Sequence, residues 1–163
     1  MKLYCPNCFY PNEVNQRLCE RCKKPLEWKE ENFEAKLIKA LSHGEPETAL
    51  RVATILSNFK SSKVERALIK SILNSKDPYF QAAGLNSLAL VGSRKSLSVF
   101  RRMALNGFLL PRLKAIEGIA KIGSLGDIRF LEKLMNDSNE SIRNRTKDAI
   151  RTIRDKYSVL AKN

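Results

Sequence analysis

The sequence predicts a mostly α-helical protein: a short α-solenoid of about four helix pairs, preceded by a small four-cysteine module. Three observations carry that expectation. All four cysteines fall in the first 22 residues as two Cys-x-x-Cys hooks, Cys5/Cys8 and Cys19/Cys22. From Phe33 onward, apolar residues recur at helical spacing and are interrupted at regular intervals by Gly, Pro, Ser and Asp. The pattern also repeats. Gln81, Arg112 and Arg143 lie 31 residues apart, with Leu88, Ile119 and Ile150 seven positions later and Val91, Ile122 and Ile153 ten positions later. Gly92 and Gly123 take the eleventh position, where the third copy has Arg154. A fixed period with helix–turn–helix content describes units that bury their faces only by stacking on one another.

The cysteines come first in the chain. Two residues between cysteines let one tight turn present both sulfurs, and two such turns supply the four thiolates of a tetrahedral Zn2+ site. Residues 1–28 are too few to bury a core, so a metal or a crosslink must hold them. Disulfides and redox catalysis are the competing readings. The first lacks a visible secretory signal before Cys5, and the second lacks a surrounding strand–helix unit. Iron could occupy the same sulfurs. Four protein ligands leave no open position, which makes the expected zinc structural. The flanking residues Cys-Pro-x-Cys, Asn12, Leu-Cys-x-x-Cys and Pro25-Leu26 resemble the small zinc-ribbon family over about residues 3–27. That family usually has Gly after the second cysteine of each hook, at a turn favouring positive φ; this chain has Phe9 and Lys23 there.

Residues 29–32 read as a linker, with Asn32 a candidate N-cap and Trp28 the only tryptophan, expected to pin the ribbon to the next helix, with stacking on a nucleobase as the alternative. The α-solenoid occupies 33–163. Its first helix runs 33–43 with Phe33, Leu37, Ile38 and Leu41 on one face. The second starts at Pro46 and carries Leu50, Ala53, Leu56 and Phe59. The third follows Ser61 and Ser62 with Val64, Leu68, Ile72 and Leu73. The fourth, opened by Asp77-Pro78, carries Phe80, Leu85, Leu88 and Val91. Ser93 caps a fifth with Leu97, Phe100, Ala104 and Leu105, and Pro111 opens a sixth with Ile116, Ile119 and Ile122. Asp127 caps a seventh (Ile128, Leu131, Leu134, Met135), and the eighth follows 137–139 with Ile142, Ala149, Ile150, Ile153 and Tyr157. No segment alternates with period two.

These units resemble HEAT repeats, particularly the short type also found in phycobilin lyases. The resemblance rests on Asp77 and Asp137 in turns, Arg112 and Arg143 early in second helices, and the Leu/Ile-x-x-Val/Ile-Gly endings, over about residues 45–157. It implies a right-handed α-solenoid whose second helices line the concave face. It also implies an Asp–Arg ladder along the stack, broken where Gln81 replaces Arg.

Charge then suggests a partner. The chain carries 30 Lys/Arg against 17 Asp/Glu, a formal net charge of +13. Residues 1–32 hold six against five and residues 33–163 hold 24 against 12, so the excess belongs to the helical domain. Such a field attracts polyanions: RNA, a ribonucleoprotein such as a ribosomal particle, or DNA. The candidate contacts are Arg94, Lys95, Arg101, Arg102, Arg112, Lys114, Lys121, Arg143, Lys147, Arg151 and Arg154. Arg112 and Arg143 read first as ladder residues.

No apolar run approaches the ~20 residues that span a bilayer. With no visible targeting segment, a cytoplasmic protein that engages no membrane is expected. His43, the only histidine, stands at a predicted helix end. No Ser/His/Asp set, phosphate-cradling Gly loop or spare cysteine is present, so neither catalysis nor a small-molecule substrate is expected. HEAT-like DNA glycosylases share the fold class and basicity, but the inner helices offer only Tyr79, Phe80 and Tyr157 to grip a base. The expected function is therefore a non-enzymatic binding module that uses a basic concave surface to bind a polyanionic partner, with a protein–protein adaptor as the alternative.

Overall fold

A computed structural model describes residues 2–8, 10–26 and 33–160. The linker 29–32, the Asn32 cap and the Trp28 contact lie outside the described residues, as does Phe9.

The N-terminal segment is a two-stranded antiparallel hairpin, β1 (Lys2–Tyr4) and β2 (Pro11–Glu13), in register Lys2↔Glu13, Leu3↔Asn12 and Tyr4↔Pro11. Among the described residues eight α-helices follow: α1 (Phe33–Ala40), α2 (Pro46–Leu56), α3 (Ser62–Asn74), α4 (Pro78–Val91), α5 (Leu97–Leu105), α6 (Leu109–Ile122), α7 (Ile128–Leu134) and α8 (Glu140–Leu160). They form four pairs around one continuous apolar core. The second helices contact each other in series, α2 with α4, α4 with α6 and α6 with α8, while first helices of successive pairs touch little. Close packing on one side and splayed packing on the other make an α-solenoid, with the second helices on its inner row.

Local chemistry explains most boundaries. Pro46 and Pro78 open α2 and α4 with rings already suited to a first turn. The Ser61 hydroxyl accepts from the N–H groups of Lys63 and Val64, and the Asp77 carboxylate accepts from Tyr79 N. Several expectations need correction. α1 stops at Ala40, because Leu41, Ser42 and His43 tighten into i→i−3 bonds. Phe33 is exposed, its ring beside that of Phe59 with centroids 6.1 Å apart. α6 begins at Leu109, with Pro111 inside the first turn, where its missing N–H had no intrahelical partner to lose. Ser93 caps not α5 itself but a 3₁₀ turn, Arg94–Ser96, leading into it. Asp127 closes the corresponding turn Leu125–Asp127 by accepting from Ser124 N at 2.7 Å, rather than capping α7. Leu105 is exposed, not core.

Inner and outer helices approach closely where the repeat has small residues. Gly118 stands between its equivalents Ser87 and Ala149, all buried. A Cβ on Gly118 would fall 2.2 Å from the ring of fully buried Phe100.

Candidate metal centre and basic surface

The hairpin and a tight turn bring the two hooks together. Cys5 N donates to Tyr10 O at 3.0 Å, and Asn7 N donates to Cys5 Sγ at 3.4 Å. In the second hook Cys22 N donates to Cys19 Sγ at 3.5 Å and Lys23 N to Cys19 O at 2.9 Å. Lys23 has φ 58°, alone among the described non-glycine residues in being positive. The turn thus adopts the conformation that a glycine would favour there. Buried Asn12 ties hook to hairpin, its side chain donating to Tyr10 O and accepting from Glu20 N at 2.9 Å.

The four sulfurs all lie within 4.8 Å of one another, with Cys5–Cys22 and Cys8–Cys19 each at 3.6 Å. Sulfurs bound ~2.3 Å from one tetrahedral ion lie ~3.8 Å apart, so the cluster fits a single cation. The thiols also differ in acidity. Burial pushes Cys8 up to about 12. Cys19, against the opposing effect of burial, is brought down to about 6 by backbone N–H groups of Cys22 and Arg21. The Lys24 N–H lowers Cys22. Backbone donors that favour thiolate favour metal ligation.

The structure distributes the candidate basic residues over several environments. Arg94 and Arg101 converge on Asp127, which is 1 % exposed. Arg94 Nη2 also donates to Ser124 Oγ at 3.0 Å, and Arg101 lies over the Phe130 ring at 5.9 Å. Burial alone would raise the Asp127 carboxyl; the Ser124 N–H and Arg101 more than offset it and hold it low. Arg112 pairs with Asp137 and donates from Nε to Ala104 O at 2.9 Å. Arg143 donates to the carbonyls of Asp137 and Ser138 at 2.8 and 2.9 Å. Lys114 and Arg145 share Glu117 at 2.8 and 3.0 Å.

Among the described residues, Lys95, Arg102, Lys121, Lys147 and Arg154 have no carboxylate within 4 Å. The Arg151–Asp148 pair at 2.8 Å is largely exposed and binds Arg151 weakly. The inner groove between α6 and α8 mixes Glu117, Lys121, Arg145 and Asp148 over Ala120 and Ala149. Lys147, Arg151 and Arg154, expected on the concave face, lie instead on the other side of α8, facing α7 near Glu132 and Met135.

The Asp–Arg expectation also changes. Asp77 and Asp137 are not repeat equivalents: by the 31-residue register Asp77 matches Phe108 and Asn139, whereas Asp137 matches Ser75 and Asn106. Asp77 and Asn139 are caps, and Asp137 is the ladder acceptor. Gln81 stands in for Arg by donating to Ser75 O at 2.7 Å.

A second set of junction residues escaped the sequence reading. Glu65 accepts from Ser93 N at 2.9 Å and Ser96 Oγ at 2.6 Å, joining the second pair to the third. Its signal was available, since Glu65, Ser96 and Asp127 share one register position, as do Ser93 and Ser124.

Residues 34–109 match the family model for HEAT repeats. The match covers α1 to the first residue of α6, somewhat less than half of the chain, and α6–α8 continue the same 31-residue register. A search of curated proteins finds no match. No helix among the described residues is long and apolar enough to cross a membrane.

Proposed function

We propose that the chain is a non-enzymatic binding module in which the four cysteines hold one structural Zn2+ and the helical stack binds the phosphate backbone of RNA, a ribonucleoprotein or DNA. Helix α8 carries this reading. Arg143, Lys147, Arg151 and Arg154 follow one another at steps of three or four residues along one side of a helix about 30 Å long. Lysines and arginines spaced in this way track phosphates without reading sequence. Arg101 and Arg112 are occupied by the carboxylates of Asp127 and Asp137, and Arg94, largely exposed, stands 3.9 Å from Asp127. Base excision has less support: of the three candidate aromatics Phe80 is buried and Tyr157 packs against the core, which leaves Tyr79 as the one exposed ring.

The test is fluorescence anisotropy with structured RNA, duplex DNA and a neutral polymer across a salt series. Binding to one nucleic acid that weakens steeply with salt is expected. The triple variant Lys147→Glu, Arg151→Glu, Arg154→Glu should lower the log–log slope by about 2–3. Affinity no greater than for the neutral polymer at low salt would overturn the reading. The zinc assignment predicts one equivalent of zinc per chain by atomic emission.

A further inference from the structure

The third repeat replaces the mostly polar residues of the intra-pair turns. At positions where the flanking copies have Asn74 and Asn136, Asp77 and Asn139, Pro78 and Glu140, and Tyr79 and Ser141, it has Leu105, Phe108, Leu109 and Leu110. These four are 53 %, 60 %, 42 % and 38 % exposed, so one six-residue stretch gathers four exposed large apolar side chains. Gly107, at φ 109°, provides the bend that presents them.

The exchange leaves α6 without a side-chain cap. Phe108 occupies the N-cap position of α6, where it cannot accept from the first-turn N–H groups as Asp77 and Asn139 do. Beside it lies a groove of about 430 Å³ between this turn and the α3–α4 turn, lined by Leu73, Met103, Asn106, Phe108, Lys76 and Arg102. Both cations are exposed, and neither has a carboxylate within 4 Å among the described residues. Asp77, the nearest acid in the chain, is engaged by Tyr79 N.

We infer that this groove is a docking site for a polypeptide segment that seats an apolar side chain against Phe108 and sets adjacent Asp or Glu residues over Lys76 and Arg102. A concave apolar floor with a cationic rim is complementary to such a segment in both shape and charge. A flat bilayer would not fill the groove. The site is separate from the basic side of α8, so it stands whether or not nucleic acid binds there.

The experiment pans a displayed random-peptide library on the full chain and counter-selects on Phe108→Asp. That variant installs the cap found in a neighbouring repeat, so it is expected to melt at or above the wild-type temperature while losing the site. Enriched peptides should pair an aromatic or aliphatic residue with Asp or Glu, and bind about tenfold or more weaker to Phe108→Asp and to Lys76→Glu, Arg102→Glu. No enrichment, enrichment without acids, or peptides indifferent to Phe108→Asp would overturn the inference. So would binding to phosphatidylserine vesicles, or a wild-type dimer, that Phe108→Asp abolishes; these would assign the patch to a membrane or to a second copy.

Discussion

The Arg112 guanidinium, on α6, grips the Asp137 carboxylate of the α7–α8 turn, 25 positions along the chain. The two side chains are 16 % and 14 % exposed. With its further bond to Ala104 O, Arg112 ties the two ends of the α5–α6 turn to the next pair. Arg112→Met leaves Asp137 half-buried and charged and is expected to cost about 2–3 kcal/mol in urea unfolding. The double variant with Asp137→Asn should recover part of that loss. Neither change should alter the salt slope of polyanion binding.

Acid should unfold the stack through its junctions. Asp137, held low first by Arg112, lies below its ordinary 3.8, and Asp127 and Glu65 lie low despite burial because hydroxyls, N–H groups and cations surround them. Carboxylates depressed by folding contribute stability that is full above their unfolded values and is lost as pH falls through the folded ones. Stability should therefore hold down to about pH 4–5 and decline below it. Asp127→Asn should destabilise at neutral pH and flatten the acid limb, read as melting temperature against pH.

Gly118→Ala tests the closeness of the inner and outer rows. Alanine improves helix propensity, but its methyl would meet the Phe100 ring, and overpacking is expected to win by about 1–2 kcal/mol. A Gly118→Ala protein as stable as the wild type would show that Phe100 can move.

The cysteine cluster predicts its own spectroscopy. Co2+ should bind with one-to-one stoichiometry and give the charge-transfer and visible bands of tetrahedral thiolate ligation, and Cys8→Ser should remove the four-sulfur pattern. A chelator should collapse the hairpin while leaving most of the helical circular dichroism, because the helical core is a separate cluster. Lys23→Gly relieves the positive φ and should strengthen metal binding by about 1 kcal/mol, measured by competition.

Helix boundaries and the inner row were legible because Pro, Gly and Ser act locally and the 31-residue period is set by stacking. What escaped lies across repeats. The Ser124-x-x-Asp127 spacing is itself a capping-box signature, but nothing near Asp127 in sequence says that it collects Arg94 and Arg101, and without that the arginines read as free surface charge. Pro111 misled for a related reason: proline tolerates any place in a helix's first turn, so it marks the turn and not its first residue.

Two of the three inter-pair junctions also limit how freely the chain can be cut and rejoined. Between the second and third pairs the carboxylate comes from below, from Glu65; between the third and fourth it comes from above, from Asp127. Excising residues 93–123 would preserve the period and the Gly-Ser seam, yet it would set Glu65 against Asp127 with Arg94 and Arg101 gone. Two acids would then face each other where each junction now has one. The pairs are alike in shape but keyed in order, and a shortened or duplicated stack would need its seams rewritten as well as its length.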